Sequence, residues 1–157
     1  MMKKIVITTL LLIGMGTVSN AQDYTTGIGI RGGLYNGIAI KHFIGIKSAF
    51  EVILATRWQG YNITGLYEIH TQAFNTPHLN FYYGFGGHLG VWNGANVSWV
   101  NDNLNHTVIG VDGILGLEYN FKEVPFNISV DWKPALNLIG YSGFWGDNGA
   151  LSFRYIF

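Results

Sequence analysis

From Tyr24 to Phe157 the chain alternates residue by residue between two unlike faces, and this period of two calls for strands and leaves no room for long helices. One face is almost unbrokenly apolar. It begins Ile28, Ile30, Leu34, Ile38, Ile40, Ile44, Phe50, Val52, Leu54 and continues in the same manner to Leu151, Phe153, Tyr155 and Phe157. The other face carries Arg31, Lys41, Glu51, Arg57, Glu68, Asp112, Glu118, Asp131, Lys133 and Arg154, so every Asp, Glu, Lys or Arg within a strand falls on it. His42 is the one ionisable exception. The pattern divides into eight strands near residues 24–34, 37–44, 49–58, 61–70, 79–92, 106–121, 126–138 and 149–157.

The connections fit an up-and-down order. Tyr35-Asn36-Gly37 suits a three-residue hairpin with Gly37 left-handed, and 45–48, Gln59-Gly60 and 122–125 are also short. Longer links span 71–78, 93–105 and 139–148. An even strand number puts both ends of the chain on one side. The long links 93–105 and 139–148 then share the opposite side, the asymmetry of bacterial outer-membrane barrels with short periplasmic turns and longer external loops.

Alternation alone does not say which face is inside, because a soluble barrel shows the same two faces. Composition decides it. Only 11% of residues are charged against 15% aromatic, a poor recipe for a wet exterior. The charged face also holds Gly27, Gly29, Gly33, Gly84, Gly86, Gly90, Gly110 and Gly116, and such missing side chains fit a narrow interior. Trp58, Tyr61, Tyr119 and Tyr155 recur near strand ends on the apolar face, as in an aromatic girdle. The expected fold is therefore all-β, an eight-stranded antiparallel up-and-down transmembrane β-barrel with its charges inside.

Ahead of the strands, Lys3 and Lys4 precede an apolar run from Ile5 to Met15, and Thr17-Val18-Ser19-Asn20-Ala21 supplies small residues for cleavage after Ala21. The run is too short to span a bilayer as a helix. Residues 1–21 are read as a signal peptide and 22–157 as the barrel domain. With no Cys there is neither a disulfide scaffold nor a lipoprotein anchor, and zero net charge without a basic cluster argues against nucleic acid.

Three stretches, Asn62-Ile63-Thr64-Gly65-Leu66-Tyr67-Glu68-Ile69-His70, Tyr82-Tyr83-Gly84-Phe85-Gly86-Gly87-His88 and Asp131-Trp132-Lys133-Pro134-Ala135-Leu136-Asn137-Leu138, carry a further signal. Together with the ending Leu151, Phe153, Tyr155, Phe157, they make the chain resemble the small outer-membrane β-barrel proteins of Bacteroidota-type bacteria. The resemblance implies that those last alternating residues are a β-signal read by the barrel-assembly machinery. It implies periplasmic chaperones in transit, lodging in outer-membrane lipid and lipopolysaccharide, and periplasmic termini. It brings no catalytic residue and no cofactor.

Five cations (Arg31, Lys41, Arg57, Lys133, Arg154) face five carboxylates (Glu51, Glu68, Asp112, Glu118, Asp131) inside an eight-stranded barrel, so a mutually neutralised plug is expected and not a pore. Three-residue first loops would set Arg31, Lys41 and Glu51 in one row, with Glu68 joining through a Gln59-Gly60 turn. His70 and His88 share the inward face and could approach Glu68, but their spacing is not that of a metal site, and none is assigned. Ser129, Asp131 and His88 have triad chemistry without a nucleophile elbow. The His-x-Ser arrangement that resembles the lipid A deacylase family is missing. A structural envelope role, or recognition by loop residues Trp99, Tyr141, Phe144 and Trp145, is the expected function for a monomer; a lipid-modifying enzyme is the alternative and a narrow pore the third.

Overall fold

The computed structural model describes residues 24–157, so the leader expected over 1–21 lies outside them. Ten strands follow in chain order: β1 (Thr26–Gly33), β2 (Asn36–Phe43), β3 (Ser48–Arg57), β4 (Gly60–Gln72), β5 (Leu79–Asn93), β6 (Asn105–Asn120), β7 (Phe126–Trp132), β8 (Ala135–Ile139), β9 (Gly143–Trp145) and β10 (Gly149–Ile156). Neighbours pair antiparallel from β1 round to β7, and β10 closes the sheet between β7 and β1. Both β7 and β8 pair with β6 and form one stave interrupted at Pro134. There the Gly113 N–H still donates to the Pro134 carbonyl at 2.9 Å, but proline has no N–H to return. In the same way β9 lies beside β8 and leads into β10. The ten segments are thus the eight staves of a closed antiparallel barrel.

Its geometry follows from the register. Stepping between registered partners from Glu118 on β6 leads through Ser129, Ser152, Arg31, Gly37, Ala55, Asn62 and Gly90 to Val108, ten residues away on the same strand. An offset of that size in eight strands goes with a tilt of about 40° and an interior just wide enough for side chains to fill.

Three links differ from the sequence expectation. The first hairpin turns over Leu34 and Tyr35, with Asn36 and Gly37 already in β2; the Asn36 side chain takes the Gly33 N–H at 3.1 Å and does the turn's work. The third turn is Trp58-Gln59, both left-handed at φ 52° and 57°, closing directly on the Arg57–Gly60 pair. Gly60 belongs to β4 because its backbone lies against Trp92: a Cβ there would sit 2.1 Å from Trp92 Cδ1. The expected long loop 139–148 is largely strand, because β9 pairs with β8 and the chain reverses at Gly140, whose φ of +87° suits glycine.

Burial follows the alternation, most cleanly in β10, where exposed and buried residues change places at every step. The outward face is apolar, with Ile30 66% and Phe85 68% exposed, and no described strand turns an Asp, Glu, Lys or Arg outward. His42 also faces out, near the end holding the chain termini, where its Nδ1 lies 2.8 Å from the Thr26 hydroxyl.

Candidate functional site

Among the described residues the fold gathers its reactive side chains in the interior, and inward parity on successive strands puts them there. In the half nearest the chain termini, Lys41, Glu51, Glu68, Glu118 and Arg154 all have fully buried side chains. Lys41 Nζ lies 2.8 Å from Glu68 Oε2 and 3.5 Å from Glu118 Oε2. Arg154 pairs with Glu51, stands 3.7 Å from Glu118 and donates to the Ser129 hydroxyl at 2.8 Å. Tyr24 donates to Glu118 at 3.0 Å, and His70 Nε2 is 3.1 Å from Glu68. Burial of so many ions is tolerated because each oxygen-rich group has a cation or hydroxyl beside it.

At mid-height Arg31 grips Asp131 through both terminal nitrogens, and Tyr82 donates to the same carboxylate at 3.0 Å. Beside them Asp112 accepts from Lys133 Nζ at 2.6 Å and faces His88 Nδ1 at 2.7 Å, while His88 Nε2 meets Asn137 Oδ1 at 3.0 Å. Arg57 sits higher, at the rim, bound to Asp147 at 2.8 Å with its guanidinium 3.8 Å over the Trp58 ring. The Arg57 hydrogen bond holds the Asp147 carboxyl below the usual carboxylate range.

The expected row of charges forms only in part. Lys41 and Glu51 are registered neighbours, but Arg31 lies opposite Gly37 and Glu68 opposite Ala49, because the first and third turns fall earlier in the sequence than expected. Glu68 still reaches Lys41 by side-chain length. His70 and His88 take different carboxylates at different heights. Ser129, Asp131 and His88 are bonded to Arg154, Arg31 and Asp112 respectively, and both His88 nitrogens are engaged, so these three residues do not assemble as a nucleophile and base. Among the described residues no three His, Cys, Asp or Glu side chains are placed to hold a metal ion.

The loop-side half is filled by rings. Trp92 is buried, its Nε1 donating to the Arg57 carbonyl at 2.9 Å. Trp145 packs edge-on against it with centroids 5.4 Å apart, and Trp99 is stacked on Tyr141 at 4.7 Å and lies 5.7 Å from Trp145. Trp58 folds over the same cluster, 5.6 Å from Trp99, which takes it out of the girdle expected on the outer wall. Of the four residues expected as loop recognition groups, Trp99, Tyr141 and Trp145 are therefore committed to the barrel's own packing, while Phe144 points outward at 65% exposure. Below the rings Ile53, Leu66, Val108 and Ile114 add an apolar patch. The neutralised plug expected from the sequence is therefore only part of the filling, which is ionic toward the termini and apolar toward the loops. The interior residues not singled out from sequence include Tyr24, Tyr82 and Trp92 as well as Ile53, Leu66, Val108 and Ile114, although Tyr82 and Trp92 share the parity of Gly90 and His88.

The last alternating residues sit at the seam. Leu151, Phe153 and Tyr155 face outward on β10 beside β1, and the Phe157 carbonyl accepts from Thr26 at 2.9 Å. Compared with known proteins, the chain matches no family model and no curated protein.

Proposed function

We propose that this chain is an integral outer-membrane β-barrel of the small Bacteroidota type, a sealed, monomeric envelope component that carries out no reaction of its own. The observation that supports this reading is the inverted partition: ions are buried inside, and a belt of apolar side chains free of Asp, Glu, Lys and Arg surrounds the staves. In water that arrangement leaves the greasy surface exposed, whereas in a bilayer the same surface faces lipid and the ions are kept away from it. The remaining described charges, Lys47, Asp102, Lys122, Glu123 and Asp147, fall in the links at the two ends, where a bilayer gives way to water.

In this reading the chain termini lie on the periplasmic side, the barrel-assembly machinery engages the strand ending in Phe157, and the outer rim meets lipopolysaccharide. The self-packed rings at the mouth favour a structural role over capture of a ligand by the loops, and the filled interior favours a plug over a pore. Cell envelopes extracted with detergent test it: the protein is expected in the membrane fraction, as a fast-migrating band that slows on boiling. Recovery in the soluble fraction without detergent would overturn it. A second arm uses Val52→Arg, on the outward face of β3. Lipid should charge this change about 2–4 kcal/mol and lower insertion sharply, whereas a wet surface would hardly register it.

A further inference from the structure

The ionic half holds more acidic groups than basic ones. Glu51 on β3, Glu68 on β4 and Glu118 on β6 face Lys41 on β2 and Arg154 on β10, and all five side chains are fully buried. The ions above them pair one to one, Arg31 with Asp131 and Lys133 with Asp112, so they offer no spare cation. His70 does not supply one either. Its Nε2 meets Glu68 at 3.1 Å, but a hydrogen on the buried Nδ1 would have no acceptor, since Glu118 Oε1 is 4.0 Å away. The imidazole is therefore neutral. Tyr24 and Tyr82 keep their hydrogens and donate them to Glu118 and Asp131. A surplus carboxylate at such depth is too costly to stand alone.

The hydrogen bonds show which oxygens bear the deficit. Glu118 takes the Tyr24 hydroxyl on both oxygens at 3.0 Å. Glu51 Oε1 takes Arg154, and Glu68 Oε2 takes Lys41 and His70. Left over are Glu51 Oε2 and Glu68 Oε1, both buried and both without a hydrogen-bond partner among the described residues. These two side chains are neighbours. Glu51 stands opposite Leu66 and Glu68 opposite Ala49, a diagonal pair on the inward face of adjacent strands, and the two carboxyl groups lie within hydrogen-bonding reach of each other. Two bare acceptors side by side repel, whereas one hydrogen between them satisfies both and cancels the surplus charge.

We infer that Glu51 and Glu68 hold one proton between them at neutral pH, and that this proton is a pH-sensitive lock on the ionic half of the barrel. Losing it leaves three carboxylates against two cations, with two bare oxygens in contact. Unfolding frees both side chains to ionise in water, so it releases the proton at neutral pH, and by linkage such a fold weakens as pH rises. The inference uses only the barrel's interior and does not depend on the compartment in which the barrel works.

Infrared spectroscopy in an ester-free detergent tests it, because the carbonyl stretch of a protonated carboxyl stands apart from carboxylate bands and shifts in D2O. One such band is expected at neutral pH. Glu68→Gln, whose amide can donate to Glu51 in the proton's place, should remove the band, and Asp112→Asn, which alters a separately paired carboxyl, should leave it. Raising the pH should abolish the band and lower the urea midpoint of the unaltered barrel, while the Glu68→Gln barrel keeps its midpoint. Absence of the band at neutral pH in the unaltered protein would overturn the inference, whatever the folding of the variants. So would a band that survives in a folded Glu68→Gln barrel or vanishes in a folded Asp112→Asn barrel, or an equal fall of the midpoint with pH in the unaltered and Glu68→Gln proteins.

Discussion

The two halves of the interior are walled by the same staves and filled by opposite chemistry. Toward the termini, five buried ions interlock with one another and with Tyr24 and Ser129. Toward the loops, four tryptophans and a tyrosine pack ring against ring. Ions need only inward parity and mutual reach, since long side chains can cross a narrow barrel to find a partner. Rings need space cut out of the wall. Trp92 lies against Gly60 on one side and Gly90 on the other, and a Cβ at either would come within 2.1 Å of it. The ionic half therefore tolerates shifts of register that the aromatic half does not.

The strongest way to break this contrast is Arg154→Ala. It leaves Glu51 without its partner and sets three buried carboxyl groups against Lys41 alone, so unfolding in urea from detergent micelles should show a loss of about 3–5 kcal/mol. A loss under about 1 kcal/mol would mean that the ionic half is far wetter than its burial indicates. Gly60→Ala should come next, at about 1–3 kcal/mol, because the new methyl meets a ring held in place by its own hydrogen bond. Most of that cost should vanish in a Trp92→Leu background, and a double-mutant cycle measures the difference. If the two changes add without coupling, the close fit between glycine and ring is not what positions Trp92.

The rim pair is weaker still. Asp147 is half exposed, so Asp147→Asn should cost a few tenths of a kcal/mol. Its carboxyl is held below the usual range by Arg57, so its contribution is complete above the ordinary carboxylate pKa and fades as pH falls through the lowered folded value. A pH titration of stability should therefore show the difference between the wild type and Asp147→Asn shrinking in acid; a difference growing in acid would reverse the assignment. The smallest effect is expected from Trp99→Ala combined with Trp145→Ala, read as conductance across a planar bilayer. The ionic half still fills the barrel below them, so steady current should remain absent, and a stable open level would show that the rings alone make the seal.

Most of the architecture was legible because alternation with all strand charges on one parity fixes both the staves and the face each side chain takes. Turns were less legible. Gly37 and Gly60 look like turn residues in sequence, yet Asn36 and the Trp58-Gln59 pair do that work, and the glycines serve close approach within strands. Such a use of glycine is invisible until its neighbour across the barrel is known. The interior charges could be named, but their partners could not, because pairing depends on an offset accumulated over all eight staves. Arg31 meets Asp131 a hundred positions away, a contact that no local spacing announces. Likewise Trp145 reads as a loop aromatic until β9 is seen beside β8.

The seam between β1 and β10 has a kinetic consequence. Thr25 and Thr26 both donate to the Phe157 carbonyl, so the earliest and latest described stretches of the polypeptide are zipped to each other. Until that zipper forms, any partly folded species carries two raw edges of unpaired amides, and the closing contact is the one of greatest loop-closure entropy. Maturation of the barrel is thus expected to be slow and limited by its final step, with intermediates that stay sticky until the ring is shut.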